Sequence, residues 1–321
     1  MAHILVDFGK YRNQPAEKML RDKSYCSWFV SNFVPRTDVQ LKLKDLIENS
    51  LSSVSDVDKT GNLTTITRQL SECKDIASLR PVTNLSWVER DFTPIEMIKR
   101  LHEISAKDTG IFVDYLVRRL IWEMNGCWEG FEDARAETVL FDTKFRILTK
   151  RLVDRERYLP RYRAYVNPNV ATRDCVTDIL ETSQLHSIFF GDKMESLSEV
   201  QNLIESTDLS WIDELKFALQ PFCCGRQIHL NPILSINSIN ADADLIVGKH
   251  LYDFKVSKYP PDLKDKLQIL GYSSLVSMRI ESGDDDFQPI NRASIMNLYL
   301  GKIWSISLSS WTLESRLAFF T

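Results

Sequence analysis

The sequence predicts a mixed α/β chain, and three observations carry that expectation. Helical periodicity dominates from about Pro94 to Gln220. From Arg226 the apolar residues Ile228, Leu230, Leu234 and Ile236 alternate instead, which is the period of a half-buried strand. Pro260-Pro261 then breaks the chain, and Asp262 is placed to cap one more helix, to about Arg279, before two strands around Gly301. The order is helix, three strands, helix, strands.

The 321 residues suffice for one large domain or two smaller ones. A net charge of −4 excludes a globally basic nucleic-acid binder but leaves room for a local basic groove. The opening residues lack a basic n-region, and no stretch approaches the roughly 20 apolar residues that span a bilayer. We therefore expect an intracellular protein without a membrane partner. Six cysteines are scattered and form no CxxC pair, so buried free thiols in a reducing compartment are expected, not a zinc site or a Cys-ligated iron–sulfur cluster.

Residues 1–48 read as a small accessory module. A strand and turn over Phe8–Pro15 precede a short helix from Ala16 to Leu20, an aromatic-rich helix from Ser24 to Phe33, and a helical pattern over 38–49. Residues 49–85 shift toward Ser, Thr, Asp and Asn and read as a linker or boundary. The main domain is expected over 86–321, with a helical part at 86–225 and a sheet at 226–321. Thr93 is placed to cap a helix with Pro94 at its first position, and Ile95, Ile98, Leu101 and Ile104 supply its apolar face. In the next helix, about Thr109 to Met124, Gly110 and Asp114 share a face. Two more helices are expected over 174–187 and 196–220.

Between Lys144 and Arg163 the chain is basic. Lys150, Arg151, Arg155, Arg157, Arg161 and Arg163 are interleaved with Tyr158, Tyr162 and Tyr165. Such a mixture can hold phosphates and stack on bases, which makes it a candidate nucleic-acid contact. Asp154 and Glu156 interrupt it, so a solvated helix face fits equally.

The densest chemistry lies in Ala241–Lys255. Leu245-Ile246-Val247 and His250–Lys255 read as antiparallel strands around a Gly248-Lys249 type II′ turn. That register faces Val247 with His250, Ile246 with Leu251 and Leu245 with Tyr252, and continues to Asp244 opposite Asp253. Cβ atoms in such a pair lie roughly 5 Å apart, and like charges there destabilise the sheet unless a cation sits between them. Lys255 projects on the side of Asp253. Two acids and a lysine on one patch fit metal-assisted hydrolysis. Carboxylate oxygens suit Mg²⁺ or Mn²⁺, the backbone carbonyl of Phe254 is a further candidate ligand, and Lys255 is placed to orient water or stabilise developing charge. On the helix that follows, Gln268 and Tyr272 form an i, i+4 pair.

The segment ADADLIVGKHLYDFKVSK followed by QILGY resembles the PD-(D/E)xK nuclease superfamily, in its RecB-like and lambda-exonuclease-like branches. The resemblance implies a restriction-endonuclease-like α-β-β-β-α-β core carrying a large helical insertion. It implies a metal-binding Asp at Asp244, the (D/E)xK motif at Asp253, Phe254 and Lys255, and a QxxxY motif at Gln268 and Tyr272 near the substrate strand. DTGIFVDYLVRRL is similar to the family's Gly-x-x-x-acid pattern, which makes Asp114 the third acid; Glu214, on the helix before the first strand, is the rival. FGKYRNQPAEKMLRDKSYCSWFV resembles a module found at the C-terminus of exonuclease X and in phage and giant-virus proteins, implying an accessory, nucleic-acid-contacting role. The expected function is a Mg²⁺- or Mn²⁺-dependent nuclease acting on DNA, with RNA as the other possible substrate. The alternatives are a nucleic-acid binder of the same fold that does not cut, and a scaffold unrelated to nucleic acid, in which Asp253 and Lys255 are solvated sheet positions.

Overall fold

The computed structural model describes residues 6, 11–12, 14–21, 26, 29–30, 37–52, 64–65, 86–126, 134–142, 153–190, 197–223, 227–234, 239–284, 286–312 and 316. The fold is mixed α/β. In chain order the elements are α1 (Ala16–Arg21), α2 (Asp38–Ser52), β1 (Thr64–Thr65), β2 (Trp87–Asp91), α3 (Glu96–Ile104), α4 (Ala106–Asn125), α5 (Ala134–Phe141), α6 (Arg155–Tyr165), α7 (Val176–Phe190), α8 (Leu197–Glu205) and α9 (Ser210–Cys223). There follow β3 (Ile228–Leu230), β4 (Ile239–Asn240), β5 (Leu245–Val247), β6 (His250–Lys255), α10 (Leu263–Glu281), β7 (Arg292–Asn297) and β8 (Lys302–Ser307).

Contacts divide the chain into two discontinuous units, Met1–Asp58 with Lys107–Ile212, and Lys59–Ala106 with Asp213–Thr321. These interleave along the sequence, whereas the segments expected above were contiguous.

In the first unit the N-terminal residues form a core of their own. Val6, Tyr11, Ala16, Met19, Cys26, Phe29, Leu43 and Ile47 are buried together. The helix expected from Ala16 is α1; most of the expected Phe8–Pro15 and Ser24–Phe33 elements lie outside the described residues. The helix expected over 38–49 extends to Ser52, into the stretch read as linker. Further along, α6 and α5 both pack on α7. Arg119 of α4 is fully buried, and its Nη2 donates to the carbonyl oxygens of Asn167 and Val170.

The second unit holds a six-stranded sheet in the order β2-β8-β7-β6-β5-β3. β6 and β7 are parallel neighbours, and the other pairs are antiparallel. A parallel pair needs a crossover, and α10 supplies it. Ile246, Leu251, Ala293, Ile295 and Ile306 share a buried cluster with Leu267, Leu270 and Leu275 of α10, so this helix covers the sheet face that carries the odd-numbered residues of β6. β3 is an edge strand, and Pro232 just beyond it is tolerated there as expected.

Two helix boundaries differ from the sequence expectation. α3 begins at Glu96 with Ile95 as N-cap, so Thr93 does not cap it and Pro94 is not its first residue. The cause lies across the fold: the Phe92 N–H donates to the Gly301 carbonyl at 2.8 Å, which ties residues just ahead of the helix to the β7–β8 turn. The helix expected over 196–220 is two, α8 and α9. The hydroxyls of Ser206 and Thr207 both donate to the Leu203 carbonyl, at 3.2 and 2.7 Å, and end α8.

Candidate active site

The hairpin forms in the expected register, with Leu245 opposite Tyr252, Ile246 opposite Leu251 and Val247 opposite His250. Gly248 has φ of 57°, while Asn231 is the one non-glycine residue with positive φ among the described residues. Lys249 therefore has negative φ, which selects the type II′ turn over type I′.

The ladder stops one pair short of the two acids. Asp244 precedes β5, and its Oδ2 accepts the backbone N–H of Phe254 at 2.6 Å. The carboxylate thus bonds across the open end of the hairpin instead of only facing its like-charged neighbour.

Asp253 is 3% exposed. Lys255, two residues on and on the same face, places Nζ 3.1 Å from Asp253 Oδ2. The same ammonium lies 3.5 Å from Asp265 Oδ1 and donates to Gln268 Oε1 at 3.3 Å. Gln268 Nε2 in turn donates to the Tyr272 hydroxyl at 2.6 Å. The i, i+4 pair on α10 therefore continues the polar chain that begins at Asp253.

The electrostatics follow from this crowding. Burial acts to lower the Lys255 pKa, but Asp253, Asp244 and Asp265 outweigh it, and the ammonium is held protonated well above its ordinary range. Burial, then Asp253 and Asp244, push the Tyr272 hydroxyl up, so it stays neutral. At neutral pH the cluster offers a fixed cation, a neutral hydroxyl and carboxylates.

Asp265 was not among the expected site residues. A local signal was present: Asp262 and Asp265 are the two halves of a capping box, each side chain accepting the other's backbone N–H. Asp265 Oδ2 caps Asp262 while Oδ1 faces Lys255, so one residue both starts α10 and holds the lysine.

Asp114 lies in the first unit, on α4, and accepts from Arg118 Nε at 3.0 Å and Nη2 at 2.5 Å. Glu214 lies in the second unit and is exposed on α9. Among the described residues, no three His, Cys, Asp or Glu side chains converge to hold an ion. A hard divalent cation usually takes only one or two protein carboxylates and keeps waters, so Asp244 just before β5 and the buried Asp253 on β6 are a suitable donor set.

The basic stretch lies largely on α6, with its arginines at the surface and its tyrosines inside. Tyr158, Tyr162 and Tyr165 are 7%, 4% and 1% exposed, so these rings pack in the first unit's core and present no face to a base. α6 turns its hydrophobic side inward and carries the cations between. Arg157 pairs with Glu181 at 2.8 Å, Arg161 pairs with Asp178 at 2.7 Å, and Arg155 lies over the Phe141 ring. Arg163 is exposed, and Lys150 and Arg151 lie outside the described residues.

The described cysteines Cys26, Cys175 and Cys223 are buried thiols outside any disulfide among the described residues. Burial raises the Cys175 thiol to about 11, which makes it inert as a nucleophile. No described helix is long and apolar enough to cross a membrane. The chain matches no known protein family, no curated protein and no solved structure.

Proposed function

We propose that the chain is a metal-dependent nuclease, a member of the PD-(D/E)xK superfamily with a restriction-endonuclease-like core, hydrolysing phosphodiester bonds in DNA. The observation that carries the reading is the Lys255 ammonium, fixed at 3.1 Å from the buried Asp253 and in line with Gln268 and Tyr272. The order α9, β3, β5, β6, α10, β7 supports the core assignment.

In this reading Asp244 and Asp253 would hold Mg²⁺ or Mn²⁺, with the Phe254 carbonyl as a further candidate donor. The ion, when bound, polarises the phosphoryl oxygen and acidifies a water. Lys255 has a place in the chemistry because its charge is permanent: it orients the attacking water or meets the negative charge that develops on the phosphoryl oxygens. Gln268 holds Lys255 from the helix side, and Tyr272 holds Gln268. Asp265 is a positioning residue in this scheme. Glu214, in the same unit as the hairpin, is the candidate third acid, and RNA is the alternative substrate. Arg155, Arg161 and Arg163 remain candidate phosphate contacts of α6.

The test is cleavage. Labelled linear and circular DNA, single-stranded DNA and RNA are incubated with Mg²⁺, Mn²⁺ or EDTA. Scission that requires the metal and is lost in Asp253→Ala supports the reading. Tight binding without scission points to a binder of this fold, and neither binding nor scission points to a scaffold. Cutting of circular DNA separates endonuclease from exonuclease action.

A further inference from the structure

The loop between β6 and α10 carries an exposed aromatic ring, Tyr259. Tyr259 is 66% exposed, while its backbone N–H and carbonyl are both hydrogen-bonded. Single exposed apolar residues are normal on protein surfaces. This one differs in how its backbone is held. Asn297 is 1% exposed, and its Nδ2 donates to the carbonyls of Ser257 at 2.8 Å and Tyr259 at 3.1 Å. Its Oδ1 accepts the N–H groups of Tyr299 at 3.0 Å and Leu300 at 3.1 Å. One amide thereby pins the loop to the β7–β8 turn. Asn297 is also the ladder partner of Lys255. Tyr259 is thus fixed, through one side chain, to the strand position that carries the proposed catalytic lysine.

A cation lies at the ring. Lys258 Nζ lies 5.3 Å from the Tyr259 ring centroid, and Lys266 in the first half of α10 lies 5.8 Å over Trp87. The first pair lies in the β6–α10 loop; the second joins α10 to the edge strand β2. Asp262 and Asp265 bring two carboxylates to the same turn: they form the capping box, and Asp265 also faces Lys255. Aromatic faces with adjacent ammonium groups are what a single strand needs: a base stacks on the ring and a phosphate meets the cation. A pre-fixed platform also avoids the entropy of ordering a loop on binding.

We propose that Tyr259 is a stacking platform for an unpaired base of the strand that enters the site, with Lys258 meeting its phosphate. The substrate is then a single strand or a frayed end, not a closed duplex. The reaction rests on the nuclease reading, but the binding does not.

The experiment is equilibrium binding in EDTA of a single-stranded oligonucleotide carrying 2-aminopurine, read by fluorescence, beside a blunt duplex of the same sequence. Tyr259→Ala should weaken single-strand binding about tenfold and remove the stacking-dependent quench, and Tyr259→Trp should restore both. Duplex binding should be equal in all three. The substituted side chain is exposed, and thermal melting of each variant checks that the fold is kept. Single-strand binding by Tyr259→Ala within twofold of the parent overturns the platform, even if metal-dependent cleavage is found. A parent protein that binds no single strand overturns it as well. Loss in Tyr259→Ala with rescue by Trp supports it, even if nothing is cleaved and the nuclease reading falls.

Discussion

Asp244 accepts the backbone N–H of Phe254 through Oδ2 at 2.6 Å, beyond the last ladder pair, Leu245 and Tyr252. The bond splices the end of β5 to the strand that carries Asp253 and Lys255. A carboxylate that serves as a strand clamp has a structural value separate from any metal. Asp244→Ala leaves the Phe254 N–H without its acceptor, and we expect a loss of about 1–3 kcal/mol. Asp244→Asn keeps an oxygen in place and should lose less. Urea denaturation of the two variants beside the parent checks the order.

Metal binding should stabilise the same hairpin. With Asp244 just before β5 and Asp253 on β6, Mg²⁺ or Mn²⁺ would lower their repulsion and bind only the folded chain. At a hundredfold excess over Kd this is about 2.7 kcal/mol, seen as a higher Tm. Asp253→Asn should melt at the same temperature with and without the ion. An unchanged parent Tm across a metal titration counts against the paired-carboxylate site.

The turn glycines give a structural control. A Cβ on Gly301 meets the Phe92 carbonyl at 2.6 Å and the Pro94 nitrogen at 2.7 Å, both backbone, with φ of +65°. Gly248, with φ of +57°, has nothing within 4 Å. Gly248→Ala should cost about 1–2 kcal/mol for the left-handed backbone alone. Gly301→Ala adds a clash that neither backbone can relieve, and about 3 kcal/mol or more is expected. Equal Tm losses would contradict the packing described for β8 and residues 92–94.

His102 supplies a pH dependence. Burial, and then Lys258, hold its imidazole below the ordinary histidine range, and its ring lies 4.7 Å from that of Tyr299. The unfolded chain binds the proton more readily than the folded one. Stability therefore rises with pH between the depressed folded pKa and about 6.5, and is lost on acidification through that window. Denaturation at pH 5.5 and 7.5 should show the parent losing more than His102→Gln. Equal losses would remove His102 from the account.

The local parts of this architecture were legible in the sequence. Gly248-Lys249 between alternating apolar residues fixed the hairpin and its register, because a two-residue turn leaves one pairing. Gln268 and Tyr272 were readable as neighbours because helix geometry alone puts i and i+4 on one face. What depended on distant contacts was not legible. Tyr158, Tyr162 and Tyr165 look like a stacking ladder in sequence, but packing against α7 turns them inward and leaves the arginines to α6's surface. The start of α3 is set by Gly301, far along the chain. Asp265 announced itself only as a cap, and its second contact needs β6 beside α10.

The most direct measurement is single-turnover cleavage of labelled DNA at saturating Mn²⁺ by the parent and by Lys255→Ala. Lys255 has no part in holding the ion in this account, so metal-induced stabilisation should persist in the variant while its rate falls by about 10²–10³-fold or more. Cleavage by Lys255→Ala within tenfold of the parent would contradict the assignment of Lys255, Asp253 and Asp244 as the reacting centre.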